Sequence, residues 1–505
     1  MYQALDVDTL ILVGAALLAL GAAATGLVQR VRFPAMLASL ALGMALGSDG
    51  LGWLPFDDAE LSQTLAVIAL VVILFEGGLT TSWHDLRAVL VPASLLATLG
   101  VVATGAVVAG VALVALDVST TTAVLIGAVV ASTDAAAVFS AVRGQPIDRR
   151  VVRLLEAESG LNDPAAALLT VGVLAAWSGD PGPADWALFA VVQLVGGLAV
   201  GLAVGTATAL ALRKVAFSSA GLYPVIALAG AGLAYGGATT LGASGFLATF
   251  VAGVVVATRA PRRRPTITLV TDALASTAQI ALFLLLGLLV FPSELPGAAA
   301  DALLISLVLV LVARPVAVAL CLLPLRWRPA ELALVSWAGL RGAVPIVLAT
   351  FALTAGYPEG ELLFNVVFFV VVISTLAQAL TVRPVARRLG LLATTPPPPA
   401  LTTVLPIDEM ATDVIEVELT TTAAVAGRAL RDVPTPGDTR VSVVVRGGAS
   451  LIPDGDTVLA VDDVLVVAAP ARDAERTTAE LVAWAGGGSP AEPDEDGPPT
   501  DSSTS

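Results

Sequence analysis

Leu154-Leu155-Glu156-Ala157-Glu158-Ser159-Gly160-Leu161-Asn162-Asp163-Pro164-Ala165 is the stretch on which the fold of this chain turns. It sets carboxylates, an amide and a hydroxyl inside a segment, 151–177, that is otherwise apolar and long enough to cross a bilayer. On a helix Ser159 lies three residues before Asn162 and four before Asp163, and Glu158 lies four before Asn162, so these side chains occupy neighbouring parts of one face. Pro164 has no N–H to donate and Gly160 has no side chain, so the backbone is expected to be loosened here. A charge at mid-bilayer costs about 2.5–3.5 kcal/mol on insertion scales, so each such group needs a partner, a ligand or a proton.

Two other apolar segments carry comparable groups. One reads Ala131-Ser132-Thr133-Asp134-Ala135-Ala136-Ala137-Val138-Phe139, the other Trp337-Ala338-Gly339-Leu340-Arg341-Gly342-Ala343-Val344-Pro345-Ile346. Hard monovalent cations take oxygen ligands, and Thr133, Asp134, Ser159 and Asp163 form the natural set. For Asp134 and Asp163 the alternative is a hydrogen-bonded structural carboxylate, but two intramembrane aspartates beside hydroxyls point to an ion or proton path. An unpaired arginine at position 341 would be costly, so a carboxylate partner is expected, and Glu158 is the choice; the pair would hold helices together rather than carry ions. Glu76, beside Gly77 and Gly78, can snorkel, pair with an arginine or take part in transport. Arg314, next to Pro315, is read as a member of a structural pair, and His84 as a solvated loop residue.

The composition agrees with a membrane chain. Of 505 residues 57% are hydrophobic and 13% charged, more apolar surface than a soluble protein of this length can hide. The single cysteine, Cys321, excludes an internal disulfide, and with one histidine a His/Cys metal site or a Ser-His-Asp triad is not expected. Hydrolysis at Ser159 would lack a histidine base. Residues 1–390 hold 20 basic and 22 acidic groups, whereas 391–505 hold 6 and 19, so the two parts are different kinds of object. No basic cluster with interleaved aromatics suggests nucleic acid.

About thirteen apolar segments of spanning length follow one another, at 8–28, 33–48, 61–80, 87–115, 120–142, 151–177, 184–212, 219–240, 243–258, 269–291, 300–324, 332–354 and 361–382; they are numbered here as spans 1 to 13. Every second loop is basic, from Arg30 and Arg32 to Arg383, Arg387 and Arg388, and the opposite loops carry acidic residues such as Asp49, Asp57, Asp58 and Glu359 with no basic one. The positive-inside bias then places the N-terminus outside and the C-terminus in the cytoplasm. Leu74-Phe75-Glu76-Gly77-Gly78-Leu79 in span 3 echoes Leu282-Phe283-Leu284-Leu285-Leu286-Gly287-Leu288 in span 10, and spans 5 and 12 both carry mid-helix polar residues. Seven spans separate each pair, an odd number, so two six-helix units of inverted topology are expected.

Thr133-Asp134, Glu158-Ser159, Asn162-Asp163 and Gly339-Leu340-Arg341-Gly342-Ala343 resemble the motifs of the monovalent cation:proton antiporter-1 family, its NhaP-like branch. The resemblance covers the whole membrane region and implies an all-α membrane protein of thirteen helices in two inverted repeats, with spans 5 and 12 unwound and crossing at the site. It implies that Asp163 binds cation and proton alternately, that Asp134 and Thr133 help ligate the cation, that Asn162 organises the site, and that Glu158 and Arg341 form a buried ion pair. It further implies electroneutral exchange by alternating access, no resident cofactor, and a homodimer in the plasma membrane. Phe75-Glu76-Gly77-Gly78-Leu79 and the run from Thr133 to Phe139 look most like a potassium/proton subgroup with a cytoplasmic tail; sodium remains the alternative cation, and a ligand-gated channel the rival outside the family.

After residue 390 a proline-rich linker is expected at 391–403, a small α/β domain at 404–485 and a disordered acidic tail at 486–505. In the domain, 414–419, 440–446 and 463–468 read as strands, 423–430 as a short helix and 473–484 as a final helix. This order resembles the TrkA-C domain, the C-terminal half of RCK regulators, and implies a regulatory role with a cyclic dinucleotide or nucleotide as ligand. No Gly-x-Gly-x-x-Gly fingerprint marks a Rossmann half.

Overall fold

The computed structural model describes residues 7–29, 34–54, 56, 58–81, 83–134, 147–179, 182–215, 219, 221–392, 400–407, 412–447, 449–470 and 474–487. The chain divides into two units, 1–393 and 394–505.

The first unit is helical. Among the described residues, nine helices are long and apolar enough to cross a membrane, and shorter apolar helices occupy Met36–Leu46, Thr120–Val130, Gly245–Arg259 and Ala343–Thr354. All of them fall on the segments expected to span. The second half of span 5, residues 135–142, lies outside the described residues. Span 12 is two helices, Pro329–Trp337 and Ala343–Thr354, separated by a non-helical stretch at 338–342. Span 6 departs from expectation. Arg149–Ser178 is one helix that runs through Pro164, because a bilayer-buried helix whose neighbours hold it in place tolerates a proline. Gly160 has a packing reason instead: the Phe250 ring lies where its Cβ would be.

Helix pairs approach closely at glycines. A Cβ on Gly43 of span 2 would run into the Leu284 carbonyl and Gly287 of span 10, and one on Gly78 of span 3 into the Phe250 carbonyl and Gly253 of span 9. Small residues permit such contact in lipid, where dispersion rather than water exclusion drives association. Moving seven spans along carries span 2 to span 9 and span 3 to span 10. The two crossings are therefore the same contact made twice with the helices exchanged, as an inverted repeat requires.

The second unit carries a five-stranded antiparallel sheet of order β1-β2-β5-β3-β4. Its strands are β1 Ala400–Ile407, β2 Thr412–Leu419, β3 Arg440–Arg446, β4 Ala449–Leu451 and β5 Val464–Pro470, followed by the helix Ala474–Ala485. Ile415, Val417, Leu465, Val467, Leu481 and Trp484 form its core. Two expectations are corrected. The expected linker already contains the first half of β1, and 423–430 is turns rather than a helix, because Gly427 adopts φ +83°. Asp463 is buried under Arg446, which donates to it at 2.7 Å from both Nε and Nη2. Burial alone would raise the Asp463 carboxyl; the bonds from Arg446 and the Ala460 N–H outweigh that and hold it below the ordinary carboxylate range.

Candidate functional site

The site forms where span 5 stops being helical. Ser119 caps the helix Thr120–Val130 through a bond from Thr122 N, and after Val130 the chain leaves the helix with its last carbonyls unpaired. The gap at 338–342 in span 12 meets this stretch, and Asp134 N donates to Leu340 O at 2.9 Å. Arg341 then supplies the missing donors. Its Nη1 donates to Ala131 O at 3.0 Å and Ser132 O at 2.5 Å, while Thr375 Oγ1 donates to Arg341 O at 2.6 Å. A cation at a helix C-terminus is favoured by the helix dipole. The reverse holds across the crossing. A Cβ on Gly342, the cap of Ala343–Thr354, would overlap the Asp134 carboxyl, so this carboxylate sits at a helix N-terminus.

Span 6 contributes the second layer. Ser132 Oγ donates to Asp163 Oδ1 at 2.6 Å. Asn162 is doubly engaged, with Nδ2 donating to Thr133 Oγ1 at 2.5 Å and Oδ1 accepting from Thr133 N at 3.3 Å. Ser159 Oγ donates to Thr133 O at 2.5 Å. Thus Thr133, Asp134, Ser159, Asn162 and Asp163, singled out in the sequence, come together at one crossing. Asp163, Glu158, Ser159 and Asn162 are all buried, whereas Asp134 is half-buried.

The expected Glu158–Arg341 pair is not formed. Glu158 is held by Arg314, whose Nη1 and Nη2 donate to its two oxygens at 2.5 and 2.7 Å. Both side chains are buried, and a bidentate guanidinium–carboxylate fork is the geometry that offsets desolvation best. Gly339 makes room for it, since its Cβ would sit against Arg314 Nε. Arg341 has no need of Glu158 because the carbonyls freed after the helix Thr120–Val130 accept its hydrogen bonds. Ser132 was missed by sequence reasoning, although it precedes Thr133. Glu76 is half-buried in span 3, within the electrostatic reach of Asp272, and it makes no ion pair with an arginine among the described residues.

The sequence profile described as "Sodium/hydrogen exchanger, transmembrane" matches residues 15–388, and that of the TrkA-C domain matches 414–482. The chain is 38% identical over 472 residues to a protein of Alkalimonas amylolytica named K(+)/H(+) antiporter NhaP, covering 91% of this chain and 81% of that one. It is 34% identical over 474 residues to the K(+)/H(+) antiporter NhaP2 of Shewanella oneidensis, with 92% and 81% covered. Among solved structures, the sodium proton antiporter MjNhaP1 from Methanocaldococcus jannaschii superposes with a TM-score of 0.66 at 22% identity, over 75% of this chain and 98% of that one, which shows the shared fold. With a multi-pass membrane unit that assembles hydroxyls, an amide and carboxylates where the end of one helix meets the break in another, and with a TrkA-C domain after it, this chain belongs to the sodium/hydrogen exchanger family of cation/proton antiporters.

Proposed function

We propose that this protein exchanges potassium for protons across the plasma membrane, one for one, by alternating access, with Asp163 as the shared carrier. The observation that supports it most is the setting of Asp163: a buried carboxylate in span 6, held by the Ser132 hydroxyl at the crossing to which Thr133, Asp134 and Ser159 also belong. A carboxylate in low dielectric is stable when protonated or when paired with a cation, and not when bare. Competition for one group then couples the two fluxes. Asn162 is neutral and already bound to Thr133, so it adds no second charge to the carrier and supports electroneutral exchange. Asp134, Thr133 and Ser159 serve as cation ligands in this reading, and Asn162, Glu158 and Arg341 organise the site. Potassium is favoured by the names of the relatives, and the alternation of basic loops favours an outer N-terminus and a cytoplasmic C-terminus. The tail domain is read as a regulator that pairs with a second copy and takes a small ligand such as a cyclic dinucleotide or nucleotide.

The test is a proteoliposome assay with a trapped pH dye, challenged in turn with lithium, sodium, potassium and rubidium. Proton flux driven by potassium without net current is the expected result. Flux driven by sodium alone would replace potassium as the substrate, and current without proton flux would contradict antiport.

A further inference from the structure

The last span ends in a turn that fixes where the chain goes next. After the helix Gly360–Arg388, Gly390 adopts φ +67°, Leu391 N donates to Ala386 O at 3.0 Å and Gly390 N donates to Arg387 O at 3.2 Å, which is a Schellman stop. It turns the chain against the start of span 6. There Asp148 N donates to Leu391 O at 3.1 Å, and Ile147 and Leu392 face each other in an isolated antiparallel bridge. Ile147 and Leu391 are buried in the same core as Val151 and Leu154 of span 6 and Val382 and Ala386 of span 13. Only seven residues, 393–399, four of them proline, separate Leu392 from β1 of the tail in the sequence.

The pairing acts on the helix that carries Asp163. Asp148 caps Arg149–Ser178, its Oδ1 accepting from Arg150 N at 2.8 Å, and Asp163 stands on the same helix, roughly 22 Å further along its axis at 1.5 Å per residue. Arg150 extends the connection. Its guanidinium carbon lies 4.0 Å from the centre of the Trp327 ring, and its Nη1 is 3.8 Å from Glu331 Oε1. Glu331 is buried and caps Pro329–Trp337, accepting from Arg328 N at 2.8 Å, and this half-helix runs into the break at 338–342. The residues that leave for the tail are thus joined by backbone pairing to the helix of Asp163, and through Arg150 to the broken span beside it. One isolated backbone bond adds little net stability, and it is either made or broken. The pairing therefore has the two discrete arrangements that coupling between distant sites requires.

We propose that the pairing of 147–148 with 391–392 is a clasp through which the tail acts on exchange: the tail biases the clasp between closed and open, and the clasp biases the helix of Asp163 between transport states. The inference rests on the reading above of an antiporter regulated by its tail. It is tested with the full chain in proteoliposomes, reading the apparent KM for potassium from proton flux. Leu465→Asp places a charge in the core of the tail and should shift this KM by about fivefold, the lower end of ordinary allosteric coupling. The same substitution should be silent wherever the clasp is fixed. Asp148→Pro fixes it open, because proline lacks the N–H and accepts the φ of −51° at this position. Ile147→Cys with Leu392→Cys fixes it closed on oxidation, since opposed residues of an antiparallel pair lie about 4.5–5.5 Å apart at Cα, within disulfide reach; Cys321 is buried away from both. Asp148→Ala, which loses the cap and keeps the N–H, should retain the response to Leu465→Asp, as should the reduced cysteine pair. A response that survives in Asp148→Pro or in the oxidised pair overturns the proposal and leaves the tail a regulator by another route. No response to Leu465→Asp in the otherwise wild-type chain overturns the tail reading and the proposal with it, and no potassium-driven proton flux in the wild type overturns the antiport reading as well.

Discussion

Arg314 and Arg341 illustrate two ways of satisfying a buried guanidinium. Arg314 takes a carboxylate, whereas Arg341 takes the carbonyls at a helix end. The need to neutralise Arg341 was legible in its neighbours, but the carbonyl solution depends on where span 5 unwinds, which hydropathy does not reveal. The grouping of Ser159, Asn162 and Asp163 was legible because helical spacing is local. The choice of Ser132 to hold Asp163 was not, because it follows the chain's exit from a helix. Breaking a buried ion pair by removing one member typically costs about 3–5 kcal/mol, since a charge is left unpaired, whereas replacing both can be nearly neutral. Glu158→Gln should accordingly lower the melting temperature in detergent, and adding Arg314→Gln should recover much of it. Recovery by Arg341→Gln instead would restore the pairing that the sequence suggested.

At the scale of elements, the break in span 12 could be read from Gly339, Gly342 and Pro345, and it falls at 338–342. The same logic failed for span 6, where Pro164 sits in an unbroken helix. The difference lies in what each break exposes. Span 12 opens against the non-helical stretch 131–134 of span 5, where Asp134 N donates to Leu340 O and Arg341 to the freed carbonyls. The freed carbonyl before Pro164 costs a single bond. Similarly, the alanine-rich 423–430 suggested a helix, and Gly427 in the left-handed region ends that possibility. The crossing predicts that Gly342→Ala will insert and fold but transport poorly, because its Cβ displaces the Asp134 carboxyl. Gly236→Ala, where nothing lies within 4 Å of the added atom, is the matched control and should transport normally. Equal rates for both variants, measured by potassium-driven proton flux, would show that Asp134 need not sit at the crossing.

For the whole molecule, the alternation of basic and acidic loops carried the membrane unit, and composition separated the tail, because both properties extend over many residues. The edge strand β1 was hidden because its residues adjoin a proline run that reads as linker. The site's oxygens lie wholly in the first unit, so a truncation after Leu392 should retain exchange while altering its response to ions or to a tail ligand. Loss of all transport in a truncated protein that inserts normally would place the tail in the transport machinery. A ligand on the tail can act only by binding one conformational state better than another. The central claim is that one carboxylate serves cation and proton in turn, and the most direct measurement is potassium-driven proton flux in proteoliposomes carrying Asp163→Asn. The account predicts a protein that inserts, retains its wild-type melting behaviour to within a few degrees and shows no exchange; flux at the wild-type rate would contradict it.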